Sequence, residues 1–245
     1  MRLDAIAVDR DGAAVRVRLS GRPLGSREAA ELVEVAGELR EDRSVRLVVL
    51  ASAGDDLCPG AAPDLEPLTF TPDPAAALAA LRAPVVVACR GLARGVGLEL
   101  ALAGDVRIAS DDARFAVDDL AAGRLPCWGA TQRLPRAVGR PRATAMLLLG
   151  EELGVSDALA AGLVERVVPV DDLAGAVDEV VARLAGLAPL ALELAKEAVS
   201  RGSEMPLVEA LHLEGDLNHL LQTTADRAEG LQAFFDKRRA GFTGR

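Results

Sequence analysis

Residues 91–105, GLARGVGLELALAGD, contain three glycines within seven positions, followed directly by Glu99 and an apolar helical run. The apolar segment PVVVAC precedes them, so we expect a strand, a turn of small residues and then a helix. The first N–H groups of a helix have no acceptor within that helix, and the helix dipole adds positive potential there. The pattern therefore predicts a site for an anion, either a phosphate or an oxyanion.

The glycine spacing alone leaves more than one interpretation open. GxxxGxG does not match the dinucleotide fingerprint GxGxxG, and no GK[ST] follows. The glycines could also serve tight packing without any ligand. A second bend, with Gly60 and Ala61 after Cys58 and Pro59, follows an earlier apolar strand. Because ligands bind at the carboxyl ends of parallel strands, one N–H from each bend could form a two-pronged oxyanion hole.

Patterns along the chain indicate an α/β protein. LDAIAV and VRVRL flank the turn signal DRDG and predict a hairpin, and Ser26 is a candidate cap for the helix that follows. Alternating strands and helices then predict βαβ winding, with strands at residues 45–52, 84–89 and 105–110 and one helix at residues 74–81. After residue 128 the pattern is almost wholly helical, including a last run over residues 205–239. Residues 64–74 are the candidate mobile loop.

Composition excludes several classes of function. The net charge of -9 and an aromatic content of 2% argue against a nucleic-acid surface, which needs clustered cations and stacking platforms. No apolar run approaches the roughly 18 residues of a membrane helix. Three cysteines without a CxxC pair or a nearby histidine predict no metal site and fit a reducing, cytoplasmic setting.

Several separate blocks carry a resemblance to one family. They are VRLVVLASAGDDLCPGAA, PVVVACRGLARGVGLELALAGDVRIASDDARFAV, GATQRLPRAVGRPRATAMLL, SDALAAGLVERVVP and DRAEGLQAFFDKRRAGFTGR. Over residues 13–245 the chain resembles the crotonase, or enoyl-CoA hydratase/isomerase, superfamily. The resemblance implies an α/β fold with a crotonase-like ββα spiral core over residues 1–190. It also implies a helical C-terminal region, residues 191–245, that covers the pocket and assembles a homotrimer or a dimer of trimers.

The resemblance also implies a site. By position, the N–H groups of Ala61 and Val96 polarise a thioester carbonyl and stabilise its enolate. Glu99 lies one helical turn beyond Val96, and Asp119 stands where many members carry a second glutamate. For reversible addition of water to a trans-2-enoyl-CoA, one carboxylate takes a proton from water and the other, protonated, supplies one to the α carbon. No cofactor is implied beyond the coenzyme A of the acyl-CoA substrate.

Further residues are expected around the substrate. Cys58, Pro59, Gly60 and Gly95 flank the two amides, and Cys58 fits packing better than a nucleophilic role because no histidine is near in sequence. Trp128 replaces a small family residue and is either a core anchor or a wall of the acyl pocket. Lys237 and Arg238 suit the phosphates of coenzyme A or, alternatively, the end of a helix.

Departures from the family pattern keep other functions open. Asp119 is one methylene shorter than glutamate, and Val96 replaces the middle glycine of the usual triplet. A Δ3-Δ2-enoyl-CoA isomerase needs one placed carboxylate, and a decarboxylase or other enolate enzyme would use the same oxyanion hole. From a different class, a non-catalytic acyl-CoA-binding homologue also fits these substitutions.

Overall fold

The computed structural model describes residues 3–65 and 73–245, which form two β-sheets surrounded by helices. The strands are β1 Ala7–Asp11, β2 Ala14–Leu19, β3 Leu47–Ser52, β4 Val85–Cys89, β5 Leu92–Arg94, β6 Val106–Ser110, β7 Arg114–Ala116, β8 Leu153–Gly154 and β9 Arg166–Val168. The α-helices are α1 Ser26–Glu41, α2 Pro74–Ala79, α3 Val96–Ala103, α4 Ala130–Val138, α5 Arg140–Leu149, α6 Val155–Ala160, α7 Leu173–Ala185, α8 Pro189–Gly202, α9 Leu207–Gln222 and α10 Ala225–Asp236. Two 3-10 helices span Asp119–Ala122 and Val170–Asp172.

The larger sheet has the strand order β1-β2-β3-β4-β6-β9, antiparallel at β1–β2 and parallel elsewhere. Its central strands are apolar on both faces because both faces are covered. Val48 and Val85 belong to the core shared with α1, α2 and α3, whereas Val49 and Val86 pack with side chains of α7. The predicted alternation of strands and helices around an α/β core is confirmed.

The first strand lies further along the chain than the sequence pattern indicates. The predicted hairpin is confirmed, but its first strand is shifted, because β1 begins at Ala7 and contains only the last two residues of LDAIAV. Asp11 pairs with Ala14 around a turn at Gly12. The backbone before it is held by a helix instead. Glu31 on α1 accepts hydrogen bonds from the N–H groups of residues 4–6, at 2.9 to 3.2 Å. The buried Glu31 carboxylate thus accepts the backbone N–H groups that the sequence pattern predicted to be paired with a neighbouring strand.

Ser26 does not cap α1, so that prediction is wrong. The capping position is Gly25, and Ser26 is the first helical residue. The Ser26 N–H and hydroxyl donate to the Asp64 carboxylate at 3.1 and 2.8 Å. Ser26 therefore hydrogen-bonds to a residue distant in sequence, although serine is preferred at the N-cap position of a helix.

The smaller sheet, in the order β5-β7-β8, was missed because its strands have only two or three residues. It continues through single bridges into the bend after β3, where Cys58 pairs with Ala93 and Ala61 pairs with Leu24. This sheet brings the two glycine-bearing bends of the sequence side by side.

The C-terminal region is helical, as predicted, but its last run is two helices. Thr224 separates α9 from α10, and its hydroxyl oxygen accepts the Arg227 N–H at 3.1 Å. α8 is fixed to the core by the Lys196 ammonium, which lies 2.7 Å from the Asp105 carboxylate. The predicted division at residues 190 and 191 falls in the first turn of α8 and stays a prediction. Of the predicted mobile loop, residues 66–72 lie outside the described residues.

Candidate active site

The N-terminus of α3 presents a free backbone amide. Gly95, at φ +50°, precedes the helix, and its N–H donates to the Ala116 carbonyl at 3.0 Å. The Gly95 carbonyl accepts the Glu99 N–H at 3.0 Å, which closes the first turn. Val96 is the first helical residue, so its N–H has no acceptor within α3.

The bend after β3 contains a second backbone amide, that of Ala61, which is not hydrogen-bonded to the neighbouring segment at Leu24. Leu24 donates to the Gly60 carbonyl at 2.8 Å, and its own carbonyl accepts the Ala62 N–H at 2.8 Å. Because successive residues of an extended chain point to opposite sides, the N–H of Ala61 points away from Leu24. In the described part of the chain, no group accepts a hydrogen bond from the N–H of Ala61 or of Val96.

The two bends are in direct contact. The Cys58 carbonyl accepts the Arg94 N–H at 3.0 Å, and the Cys58 N–H donates to the Leu92 carbonyl at 3.1 Å. A Cβ placed on Gly97 would lie 2.1 Å from the Cys58 carbonyl oxygen. Only glycine permits this approach, so Gly97 holds the start of α3 against the loop that carries Ala61.

Glu99 is buried one turn into α3, with 1% of its surface exposed. Its Oε1 accepts the Trp128 N–H at 2.8 Å and the Ala130 N–H at 2.9 Å. Its Oε2 has no hydrogen-bond partner among the described residues. Burial raises the pKa of Glu99 to about 7. The two N–H donors lower this pKa, but their effect is smaller than that of burial, and the negative charges of Asp119 and Asp73 raise it further.

Asp119 begins the 3-10 helix after β7 and is 4% exposed. Its Oδ1 lies 3.8 Å from an Arg124 nitrogen, while its Oδ2 is buried without a partner in the described residues. That Oδ2 lies 3.5 Å from the point where a Cβ of Gly95 would stand, so it faces the N-terminus of α3. Burial and the Asp118 charge raise the pKa of Asp119, and the Arg124 charge opposes the rise.

Trp128 sits in the loop that binds Glu99 and is 2% exposed within the main hydrophobic core. Its carbonyl accepts a hydrogen bond from Arg133 at 2.7 Å. The indole N–H is buried and finds no acceptor within the described part of the chain. The backbone of Trp128 thus positions Glu99, and whether its ring lines the acyl pocket stays a prediction.

The cysteines near the site are not thiolates at neutral pH. Burial raises the pKa of Cys58 to about 11, and its thiol donates to the Gly60 carbonyl at 3.3 Å. Burial also raises the pKa of Cys127 to about 11, and the charges of Glu99, Asp119 and Asp73 contribute. Neither thiol has the lowered pKa of a nucleophilic cysteine.

The sequence pattern did not predict two charged residues that act on Glu99 and Asp119. Asp73 caps α2 by accepting the Ala76 N–H at 2.8 Å, and its charge acts on both Glu99 and Cys127. An aspartate before a proline is a helix-start signal, but its distance from Glu99 cannot be derived from sequence. Arg124 contacts Asp119 through a chain reversal that the sequence pattern does not indicate.

Lys237 and Arg238 lie at the end of α10, on exposed chain. Lys237 has φ +53°, and the Arg238 guanidinium binds both oxygens of Glu229 at 2.6 and 2.9 Å. No contact in the described structure joins either residue to Glu99 or Asp119, so a role in binding coenzyme A stays a prediction.

The described residues contain no group of three or more His, Cys, Asp or Glu side chains arranged to hold a metal ion. Over residues 3–65 and 73–245, no helix is both long enough and apolar enough to span a bilayer.

Fold and site together define a class of protein: an α/β enzyme of the crotonase fold, in which two bends are in contact beside the start of α3. Two buried carboxyl groups accompany them, Glu99 within α3 and Asp119 facing its N-terminus. The sequence profile of the enoyl-CoA hydratase/isomerase family matches residues 23–245. The chain is 37% identical to the 2,3-dehydroadipyl-CoA hydratase of Escherichia coli, over 88% of this chain and 89% of that one.

Solved structures agree with this assignment. An enoyl-CoA hydratase of Bacillus anthracis is 33% identical, with a TM-score of 0.90 over 99% of this chain and 100% of that one. An enoyl-CoA hydratase of Mycobacterium smegmatis is 30% identical, with a TM-score of 0.89 over 98% and 99% of the two chains. The chain belongs to the enoyl-CoA hydratase/isomerase family.

Proposed function

We propose that the protein is an enoyl-CoA hydratase that adds water reversibly to a trans-2-enoyl-CoA. One observation carries this proposal: two buried carboxyl groups, Glu99 and Asp119, each have one oxygen without a partner among the described residues. Buried polar atoms are normally paired, so unpaired ones in an enzyme indicate a place for substrate or water. Two such oxygens suit a water molecule above a double bond.

The thioester carbonyl binds between the N–H groups of Ala61 and Val96. In support, neither amide donates to the described chain, and Gly97 keeps the two bends in contact. As the enolate forms, negative charge grows on the carbonyl oxygen, where preplaced donors contribute about 3 kcal/mol each in comparable sites. Val96 serves through its backbone, so its side chain leaves this role intact.

The two carboxyl groups have different roles. Glu99, with a pKa of about 7, is the acid, and its proton sits on Oε2 because Oε1 already accepts two N–H groups. Asp119, the intrinsically stronger acid with a cation beside it, is the base. Burial raises the pKa of both groups, and the lower intrinsic pKa of aspartate together with the nearby Arg124 favours ionisation of Asp119 over Glu99.

Each bond change balances in this scheme. The Asp119 carboxylate takes a proton from water as the water oxygen bonds to the β carbon. The π electrons of the double bond move into the thioester as an enolate, and Glu99 gives its proton to the α carbon. Transfer of one proton from Asp119 back to Glu99, directly or through solvent, restores the enzyme.

The remaining expectations belong to this proposal. Coenzyme A enters as part of the acyl-CoA substrate, no other cofactor takes part, and Lys237 and Arg238 contact its phosphates. The enzyme acts in the cytoplasm as a homotrimer or a dimer of trimers.

Purified protein mixed with trans-2-enoyl-CoAs of increasing chain length tests the proposal. The conjugated thioester absorbance should disappear, and Glu99→Gln and Asp119→Asn should each lower kcat by about 100-fold or more. Glu179→Gln, at an exposed carboxylate on α7, is the matched control and should keep full activity. If only a 3-enoyl-CoA reacts, the protein is an isomerase. Tight acyl-CoA binding without any turnover would make it a binding protein.

A further inference from the structure

A cavity lies on the face of the larger sheet that α7 covers, opposite the face that packs against α3. Its volume is about 290 Å³, near the lower end of the range for small-molecule sites. Val49 of β3, Ala88 of β4 and Val177 of α7 line it. Neither Glu99 nor Asp119 is among the described residues that line this cavity, so it is separate from the candidate active site.

Three arginines, Arg16, Arg18 and Arg90, line this cavity, which we call the arginine cavity. Val17 belongs to the core on the α3 side of the sheet, so its neighbours Arg16 and Arg18 on β2 point to the α7 side. Arg90 directly follows β4. Among the described residues that line the cavity, these arginines are the only charged ones. In a chain with a net charge of -9, the cavity therefore concentrates positive charge where an anion can enter.

The carboxylate partners of these arginines do not line the cavity. The pairs are Arg16 with Asp178 at 2.6 Å, Arg90 with Asp55 at 2.8 Å, and Arg18 with Asp9. The three aspartate side chains are 57% to 91% exposed, and ion pairs in that setting contribute about 1 kcal/mol or less. A guanidinium has five N–H donors, so one such partner leaves several of them available.

Arg90 carries a clearer sign of an unmatched donor. Its Nε is buried and has no acceptor within the described part of the chain. Buried N–H groups are normally paired, so this one indicates a place for an acceptor that the chain itself does not supply.

The rest of the cavity wall is small and mostly apolar. Ala51, Ala53 and Ala174 leave space between the arginines, and they favour a ligand with a short hydrocarbon body. Ser52 adds a polar group, because its hydroxyl oxygen accepts the Gly54 N–H at 3.0 Å and its own proton remains to be donated. An anion with a single charge would match only one of the three guanidinium groups.

We propose that the arginine cavity binds a small organic polyanion, with two or three carboxylate or phosphate groups on a short body. Guanidinium groups bind both kinds of oxyanion through paired hydrogen bonds, so the two share one recognition chemistry. The ligand bridges β2 and the end of β4, on the side of the sheet away from α3. This site does not depend on the proposed hydratase function.

Isothermal titration calorimetry at low salt tests the proposal, with citrate as the polycarboxylate, inorganic pyrophosphate as the phosphate and acetate as the singly charged control. We expect one site per chain for citrate or pyrophosphate, and the tighter of the two identifies the anionic group. Arg18→Gln and Arg90→Gln should each weaken that binding by about 10-fold, because a charge-assisted hydrogen bond is lost. Arg136→Gln, on exposed chain in α4, removes the same charge and should leave the affinity unchanged.

Asp178→Asn gives a readout that a merely structural role of the arginines would not move. It removes the exposed partner of Arg16 and keeps all three arginines, so the anion should bind about 3-fold more tightly. Glu179→Gln, the neighbouring exposed carboxylate on α7, pairs with Arg166 outside the cavity and is the matched control. The proposal is overturned if neither citrate nor pyrophosphate binds at millimolar concentration. Affinities that stay at the wild-type value in Arg18→Gln, Arg90→Gln and Asp178→Asn would also overturn it, as would acetate binding as tightly as the polyanions.

Discussion

At the scale of single residues, Glu99 shows how one carboxyl group is prepared for proton transfer. Its Oε1 is fixed by two N–H groups of the loop at Trp128 and Ala130, and its Oε2 stays unpaired in the described structure. The hydrogen bonds stabilise the anion, but burial outweighs them and the pKa rises to about 7. The group therefore holds a proton near neutral pH, at an oxygen that nothing else in the described chain occupies.

The raised pKa of Glu99 predicts a pH-dependent cost in stability. The pKa of Glu99 is 4.5 in the unfolded chain and about 7 in the folded protein, so the folded state binds the proton more tightly. As pH rises through that window, folding loses on the order of 3 kcal/mol at this site.

Glu99→Gln removes that titration, since the amide oxygen still accepts the two N–H groups. Urea unfolding at about pH 5 and about pH 8 should therefore show the variant gaining stability over wild type at the higher pH. Glu179→Gln should show no such gain. An equal difference between wild type and Glu99→Gln at both pH values would contradict the assignment.

At the scale of elements, the bend at Cys58 and the start of α3 work as one unit. The sequence could predict α3 and its free amides, because the glycines and the apolar run are local signals. It could not predict β5, which has three residues and gains its partners from distant segments. The sequence could not predict the contact of Arg124 with Asp119 or the effect of the Asp73 charge on Glu99, because both depend on tertiary packing.

Gly97→Ala tests this unit. The new Cβ would meet the Cys58 carbonyl oxygen at 2.1 Å, so the loop must move away from α3. We expect kcat/KM to fall by about 100-fold because the two amides separate, with a loss of stability of about 1 to 3 kcal/mol.

Gly37→Ala is the matched control for Gly97→Ala. Gly37 is exposed within α1 and has no atom within 4 Å of a new Cβ, so alanine should raise stability by up to about 1 kcal/mol and leave activity unchanged. Full activity in Gly97→Ala would show that contact between the bends is not needed.

At the scale of the whole molecule, the C-terminal helices leave apolar side chains in solvent. The exposed ones on α8, α9 and α10 are Val199, Leu207, Val208, Leu211, Leu220, Leu231, Phe234 and Phe235. Single exposed apolar residues are ordinary, and a group of them on consecutive helices is consistent with the predicted assembly of several chains. The predicted trimer or dimer of trimers would bury it.

Light scattering after size exclusion tests the assembly. We expect a mass three or six times the 25.5 kDa of one chain. Changing Phe234 and Phe235, which are 78% and 75% exposed, to serine should shift the mass toward that of one chain. A wild-type mass of 25.5 kDa at every concentration would contradict the predicted assembly.

The central claim is that the backbone amides of Ala61 and Val96 polarise a thioester carbonyl. Infrared difference spectra of a trans-2-enoyl-CoA, labelled with carbon-13 at its carbonyl and bound to the slow Glu99→Gln variant, measure this directly. The account predicts that the carbonyl stretch moves to lower wavenumber than in water, and that adding Gly97→Ala reverses part of the shift. A bound thioester whose carbonyl stretch matches that in water would contradict the account.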